Sequence, residues 1–206
     1  MESESITPSR LEASIPEAAE TASGRIHVDH PRASEWLSSS LALSLGQCAR
    51  PFGTGLTIVC VGTDRSTGDC LGPLIGSKLA EWEFVRHHVR VLGTLESPVH
   101  AGNLEEVLSR LSEGRARLGR VLAVDACLGR LASVGYITLA EGPLRPGTGV
   151  NKNLPPVGDL HITGIVNVGG FMEYLVLQNT RLCLVMRMAE VISRGILRFL
   201  ARSLAR

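Results

Sequence analysis

The sequence predicts an α/β fold built on a largely parallel sheet with helices on both faces. Three observations predict it. From Gly53 onward, short apolar runs alternate with amphipathic stretches, the pattern of successive βαβ units. The apolar run 56–61 stops at Gly62, passes through a loop of small polar residues, and yields to Leu71, Leu74, Ile75, Leu79 and Trp82 at near-helical spacing, which reads as a buried strand, a tight loop and a helix. The 206 residues are 44% hydrophobic but only 4% aromatic, enough aliphatic surface for one core of domain size.

The elements follow in order. Residues 1–50 are dominated by Ser, Glu, Ala and Pro with weak hydrophobic periodicity; they are predicted to be a disordered tail, with room for a short helix near Ser34 to Leu45, leaving 51–206 as the folded domain. Strand 56–61 is followed by a helix over 69–85 and a short strand over 89–92. A helix over 102–113 places Leu104, Val107, Leu108 and Leu111 on one face with Asn103 as its cap. Strand 120–124 ends at Asp125, and 134–139 has β character. The Gly- and Pro-rich stretch 142–149 bars any helix. Segment 160–168 is a late strand and 171–178 a helix. A long amphipathic helix over 181–204 closes the chain, interrupted at Gly195, with an apolar face broad enough for its own sheet or for a second subunit in a homo-oligomer.

Totals narrow the function. A net charge of +1 with scattered arginines gives no basic stripe for nucleic acid. Five cysteines without a C-x-x-C pair argue against a disulfide framework or zinc knuckle and for a reducing, cytoplasmic compartment. No apolar run approaches the roughly 20 residues of a membrane span, and the short run 41–45 makes no signal peptide.

In open α/β sheets the binding crevice lies beyond the carboxyl ends of the strands. Asp69 follows the first strand there, with Asp64 in the same loop, and Asp125 follows the strand at 120–124. Neighbouring strands are about 4.8 Å apart, so the two carboxylates can converge. A close pair can share a proton, one acid and one base, or bind a divalent metal that activates water. The plainer readings are that Asp69 is an N-cap and that Asp125 bonds the backbone of its own turn. His161 sits within an otherwise apolar strand pattern, either as a satisfied histidine or as an acid, base or third metal ligand. His87, His88 and His100 read as solvated loop residues, and His27 and His30 lie in the tail. Cys70 and Cys127 each follow one of the aspartates, but no local feature suggests an activated thiol. The loop after the first strand matches neither phosphate-binding spacing, and Asp69 would repel an anion.

These residues also carry a family resemblance. Val61-Gly-Thr-Asp-Arg-Ser-Thr-Gly-Asp-Cys-Leu-Gly-Pro73, Asp125-Ala-Cys-Leu-Gly129, Pro146-Gly-Thr-Gly-Val150, Gly158-Asp-Leu-His-Ile-Thr-Gly164 and Asn167-Val-Gly-Gly-Phe-Met-Glu173 resemble, in this order, the YyaC-type sporulation proteins of endospore-forming bacteria. The likeness covers about 55–195. That family looks related to the germination protease, which degrades small acid-soluble spore proteins, and to the hydrogenase maturation proteases. The resemblance implies a three-layer αβα sandwich of the phosphorylase/hydrolase type. The two essential aspartates of the germination protease would fall on Asp69 and Asp125. In the hydrogenase maturation group, Glu stands at the position of Asp69, and a histidine completes the metal site, with His161 the best candidate here.

The expected function is therefore a sporulation or germination endopeptidase of the spore or forespore cytoplasm. It would cut a protein substrate such as a small acid-soluble spore protein with Asp69 and Asp125. With His161 as a third ligand, a divalent metal of the zinc or nickel class would assist. The segment 146–150 would shape the cleft. The alternatives are a peptidase-fold protein that binds a spore peptide without cutting it, and a small-molecule hydrolase or phosphate binder on the same fold.

Overall fold

A computed structural model describes residues 24–46, 55–113, 119–147 and 154–204. The strands are β1 (Gly24–His27), β2 (Leu56–Cys60), β3 (Val89–Leu92), β4 (Arg120–Gly129), β5 (Tyr136–Glu141) and β6 (Leu160–Val168). The helices are α1 (Ala33–Gly46), α2 (Leu71–Ala80), α3 (Glu83–His88), α4 (Leu104–Glu113), α5 (Glu173–Gln178) and α6 (Leu182–Leu204). The strands form one sheet in the order β1-β5-β6-β4-β2-β3. β3, β2, β4 and β6 are mutually parallel, and β5 and β1 add antiparallel pairings at one side.

The fold is the expected three-layer sandwich. On one face, Leu56, Ile58, Cys60, Leu122, Val124, Leu160 and Ile162 pack against α1, α2 and α6. On the other, Val59, Val61 and Ala123 meet Leu104 and Leu111 of α4. β2 is thus covered on both sides and every one of its residues is buried, which is why it reads as a near-continuous apolar run with Thr57 its one polar member. β6 alternates, with Leu160, Ile162 and Val166 buried and His161, Thr163 and Ile165 only partly so.

Several expectations are corrected. Residues 24–46 are part of the domain and not a tail: β1 pairs with β5, and α1 lies along α6. The rest of the predicted tail, 1–23 and 47–50, lies outside the described residues. The predicted helix over 69–85 is two helices, broken at Trp82, whose backbone is extended (φ −88°, ψ 120°). α6 runs through Gly195 without a break; a Cβ there would lie 2.8–3.0 Å from the side chain of Leu37, so the glycine admits α1. β4 does not stop before Asp125. β2 pairs with it only as far as Val124, whereas β6 pairs with it on to Gly129. Among the described residues, no helix is long and apolar enough to cross a membrane.

The first turn of α2 sits directly on the end of β2. A Cβ on Gly72 would fall 2.0 Å from the carbonyl oxygen of Val61, a contact only glycine permits. Lys78 of α2 then pairs with Glu190 of α6 at 2.8 Å. We expect Gly72→Ala to destabilise the protein by about 3 kcal/mol, because overpacking a backbone contact outweighs the ~1 kcal/mol gain in helix propensity. Urea denaturation checks this; an unchanged or higher midpoint at the same slope contradicts the account.

Candidate functional site

The chain leaves β2 toward β3 by way of α2 on one face of the sheet, and returns toward β4 by way of α4 on the other. The carboxyl ends of β2 and β4 therefore flank a topological switch point, where α/β sheets open a crevice. The loop from Val61 to Cys70 fills one side of it. Val61 N–H donates to Val124 O at 2.7 Å, and Gly62 N–H to Val99 O at 2.8 Å. Thr63 N–H donates to the Asp69 carbonyl at 3.2 Å, Cys70 N–H to Ser66 O at 3.0 Å, and Gly68 N–H to Leu177 O at 2.8 Å. Gly62, with φ of +140° and the Asp69 carbonyl where a Cβ would stand, lets the loop fold back on itself. The backbone, rather than side-chain bonding, places Asp69.

Asp69 is not the helix cap. α2 begins at Leu71, Cys70 holds the cap position, and no side chain caps the helix. The Asp69 carboxyl is instead held above its ordinary pKa by burial, while the Thr63 amide and the nearby His100 favour its charged form. Asp125 is buried at 8% exposure on the part of β4 that outruns β2. Burial and the charge of Asp69 push its carboxyl well above the usual range, against the opposing bond from Ala126 N–H at 2.8 Å. The turn-bonding reading of Asp125 is thus correct as far as one oxygen goes. Asp125 is thus the carboxyl raised further, and the charge of Asp69 contributes to its shift.

His100 was read from the sequence as a solvated loop residue, and the structure places it beside Asp69. Its Nδ1 accepts from Gly102 N–H at 3.0 Å. Its backbone N–H donates to Asn103 Oδ1 at 2.8 Å, so the predicted cap of α4 also anchors the histidine. The usable signal was position: the loop leaving β3 opens on the same sheet edge as those bearing the aspartates.

His161 is not gathered into the pair. It lies opposite Ala123 in the β4–β6 register, two positions before Thr163, which lies opposite Asp125, and its Nδ1 bonds to Gly142 O at 2.9 Å. Among the described residues, no three His, Cys, Asp or Glu side chains form a group that could hold a metal ion. Asp69, Asp125 and His161 therefore do not fit a zinc or nickel cage as they stand. The thiols are not activated either. Cys127 is pushed up to about 11, mainly by burial, and burial raises Cys70, whose Sγ–H donates to Thr67 O at 2.9 Å. Of the segment 146–150, residues 148–150 lie outside the described residues. The Asn167–Glu173 motif braces the site from behind: Asn167 Nδ2 donates to Val176 O and to Thr180 Oγ1, each at 3.2 Å, and Glu173 accepts from Gly170 N–H at 3.1 Å.

A raised carboxyl pKa has a definite stability sign. Folded Asp125 holds its proton to higher pH than the unfolded residue does, so the folded state binds more protons and stability falls as pH rises above about 4. Asp125→Asn removes that cost and keeps an oxygen for Ala126 N–H. We expect the variant to match wild type in melting temperature near pH 4 and to exceed it at pH 8. A variant no more stable than wild type at pH 8 would contradict the raised pKa of the buried carboxyl.

Comparison with known proteins places this geometry. The uncharacterized protein YyaC of Bacillus subtilis (strain 168) is 52% identical over 170 residues, which cover 82% of this chain and 80% of that protein. Both the aspartate-bearing loop and β4 fall inside residues 25–195, and over that span the chain matches, and belongs to, the family described as "Protein of unknown function (DUF1256)".

Proposed function

We propose that the chain is an endopeptidase of sporulation or germination that hydrolyses peptide bonds with Asp69 and Asp125, small acid-soluble spore proteins being the substrate to try first. The observation that carries this is the pair itself. A carboxyl buried on β4 is raised by the charge of a second one at the switch point of the sheet, and that second carboxyl is freed from the capping role its position suggests. Structural aspartates seldom carry raised pKa values in a crevice, whereas acid–base pairs require them.

The chemistry follows from the asymmetry of the pair. Asp69, raised by burial but less than Asp125 because Thr63 N–H and His100 oppose the shift, takes a proton from water as that water attacks the scissile carbonyl carbon. Asp125, carrying the proton, hydrogen-bonds the carbonyl oxygen and offsets the charge gathering there. When the tetrahedral intermediate collapses, the carbonyl re-forms, the C–N bond breaks, and Asp69 returns its proton to the leaving amine. The carboxyls finish as they began.

A second reading, a peptidase-fold protein that binds a peptide without cutting it, is favoured by one observation. Phe171, Met172, Tyr174 and Leu175, around the first turn of α5, are 87%, 55%, 64% and 42% exposed, an apolar surface of the kind that marks protein contacts.

Mass spectrometry of small acid-soluble spore proteins incubated with the purified protein tests both. We expect discrete cleavage by wild type and a loss of about 10²–10⁴-fold in Asp69→Asn and Asp125→Asn, with native circular dichroism. Undiminished cleavage in either variant would sink the paired-carboxyl mechanism, and a peptide retained intact by wild type would favour the binding protein. A finer check uses His100→Gln. Losing the histidine raises the pKa of Asp69, so the acid limb of the kcat/KM profile should move to higher pH; an unmoved limb removes His100 from the mechanism.

A further inference from the structure

A cavity of about 450 Å³ lies at the outer edge of the sheet, between β3 and α4. β3 is an edge strand, paired on one side only, by β2. The register sets which residues face the cavity. Arg90 and Leu92 lie opposite Thr57 and Val59, and Val59 packs on the α4 side, so Arg90 and Leu92 point there too. Val91 belongs with the core on the opposite face yet also lines the cavity; what it contributes is main chain. The remaining wall sets Val99, Val107 and Leu111 beside the polar Thr94, Ser97 and Asn103, with Arg110 also lining it. Arg110 pairs with Glu106, whereas Arg90 is exposed and has no ion-pair partner among the described residues.

We propose that this edge is a docking groove for an extended peptide that adds a strand to β3 and carries an apolar residue and a carboxylate two positions apart. The open edge offers main-chain donors and acceptors that only another extended backbone can satisfy as a row. On a strand, residues i and i+2 share a face about 6.6 Å apart. A partner strand therefore sets one side chain beside Arg90 and the next but one beside Leu92, Val99 and Val107. The exposed Arg90 guanidinium selects a carboxylate for the first position, and Leu92, Val99 and Val107 an aliphatic residue for the second. Val99 accepts a hydrogen bond from Gly62 and precedes His100, so one wall of the groove is bonded to the loop that bears Asp69. Taking the docked peptide to be the substrate rests on the peptidase reading; the groove itself does not.

The test separates the two. Full-length Asp125→Asn protein, which cannot cut, is titrated with fluorescein-labelled nonapeptides of Ser and Thr carrying Leu-Thr-Glu or Glu-Thr-Leu, so that both strand directions are sampled. Controls carry Lys for Glu, Gly for Leu, or N-methyl groups on alternate residues. We expect the better Glu peptide to bind about tenfold more tightly than its Lys counterpart and alternate N-methylation to abolish binding. Arg90→Glu, an exposed substitution, should reverse the preference in favour of Lys. Amide exchange over 89–93 should slow when the peptide is bound. Binding that ignores the charge at residue 90, or no binding of either Glu peptide, would overturn the groove while leaving cleavage by wild type to decide the peptidase reading. Binding with charge reversal but no cleavage of any spore protein would uphold the groove and defeat the peptidase.

Discussion

The arrangement of this domain hangs on one contact between backbones, the seat of the first turn of α2 against the carbonyl of Val61. Because Gly72 carries no side chain, the helix starts within van der Waals reach of the strand end. The ten residues between β2 and α2 then have little room and must fold back on themselves. The hydrogen bonds of Thr63, Gly68 and Cys70 are the result of that compression. So is the position of Asp69, which faces the crevice as the chain turns into the helix and leaves the cap to Cys70. From the same seat, α2 lies flat enough for Lys78 to reach Glu190 of α6, tying the loop that bears one aspartate to the longest helix in the layer.

Electrostatics in the crevice oppose stability. A carboxyl enclosed on β4 beside another carboxyl gains one backbone hydrogen bond and loses most of its hydration, and its pKa rises for that reason. Such a pair is held together by the fold around it and not by its own interactions. The surrounding elements show where that support comes from. β6 continues to pair with β4 beyond the end of β2, keeping Asp125 within the sheet where β2 no longer flanks it, up to an irregularity between Cys127 and Leu128. Asn167 and Thr180 fix α5 behind the loop.

Much of this was legible in the sequence because burial writes a strong pattern. β2 is nearly all apolar because both its faces are covered, and β6 is alternating because one of its faces is not; both strands were readable to within a residue. Asp69 could be found because the end of β2 can be found, whereas Asp125 stood at an apparent strand end that β4 in fact passes on its way to Gly129. Other features leave no such trace. α1 buries Ser38, Ser40 and Ser44 alongside Leu37 and Leu41, so its inner face is half polar and its periodicity faint. The extension of β4 past Asp125 depends on a strand forty residues later. The two histidines were ranked by local context, in which His161 stood out in an apolar run and His100 lay in an ordinary loop. What decides between them is which strand ends lie side by side, and that is a property of the sheet order.

The meeting of α1 with α6 has a consequence for how the chain acquires its shape. Arg187 pairs with Asp29 across 158 positions of sequence, and Gly195 receives Leu37 across a similar interval. One helical layer is thus assembled from opposite ends of the polypeptide. Contacts this distant must overcome the entropy of closing a very large loop before they return any stabilisation. While α6 is still unmade, α1 has no surface to bury its leucines against, and the sheet it should cover stays wet on that face. Of the contacts that clad this face of the sheet, those between α1 and α6 therefore carry a large cost in chain entropy.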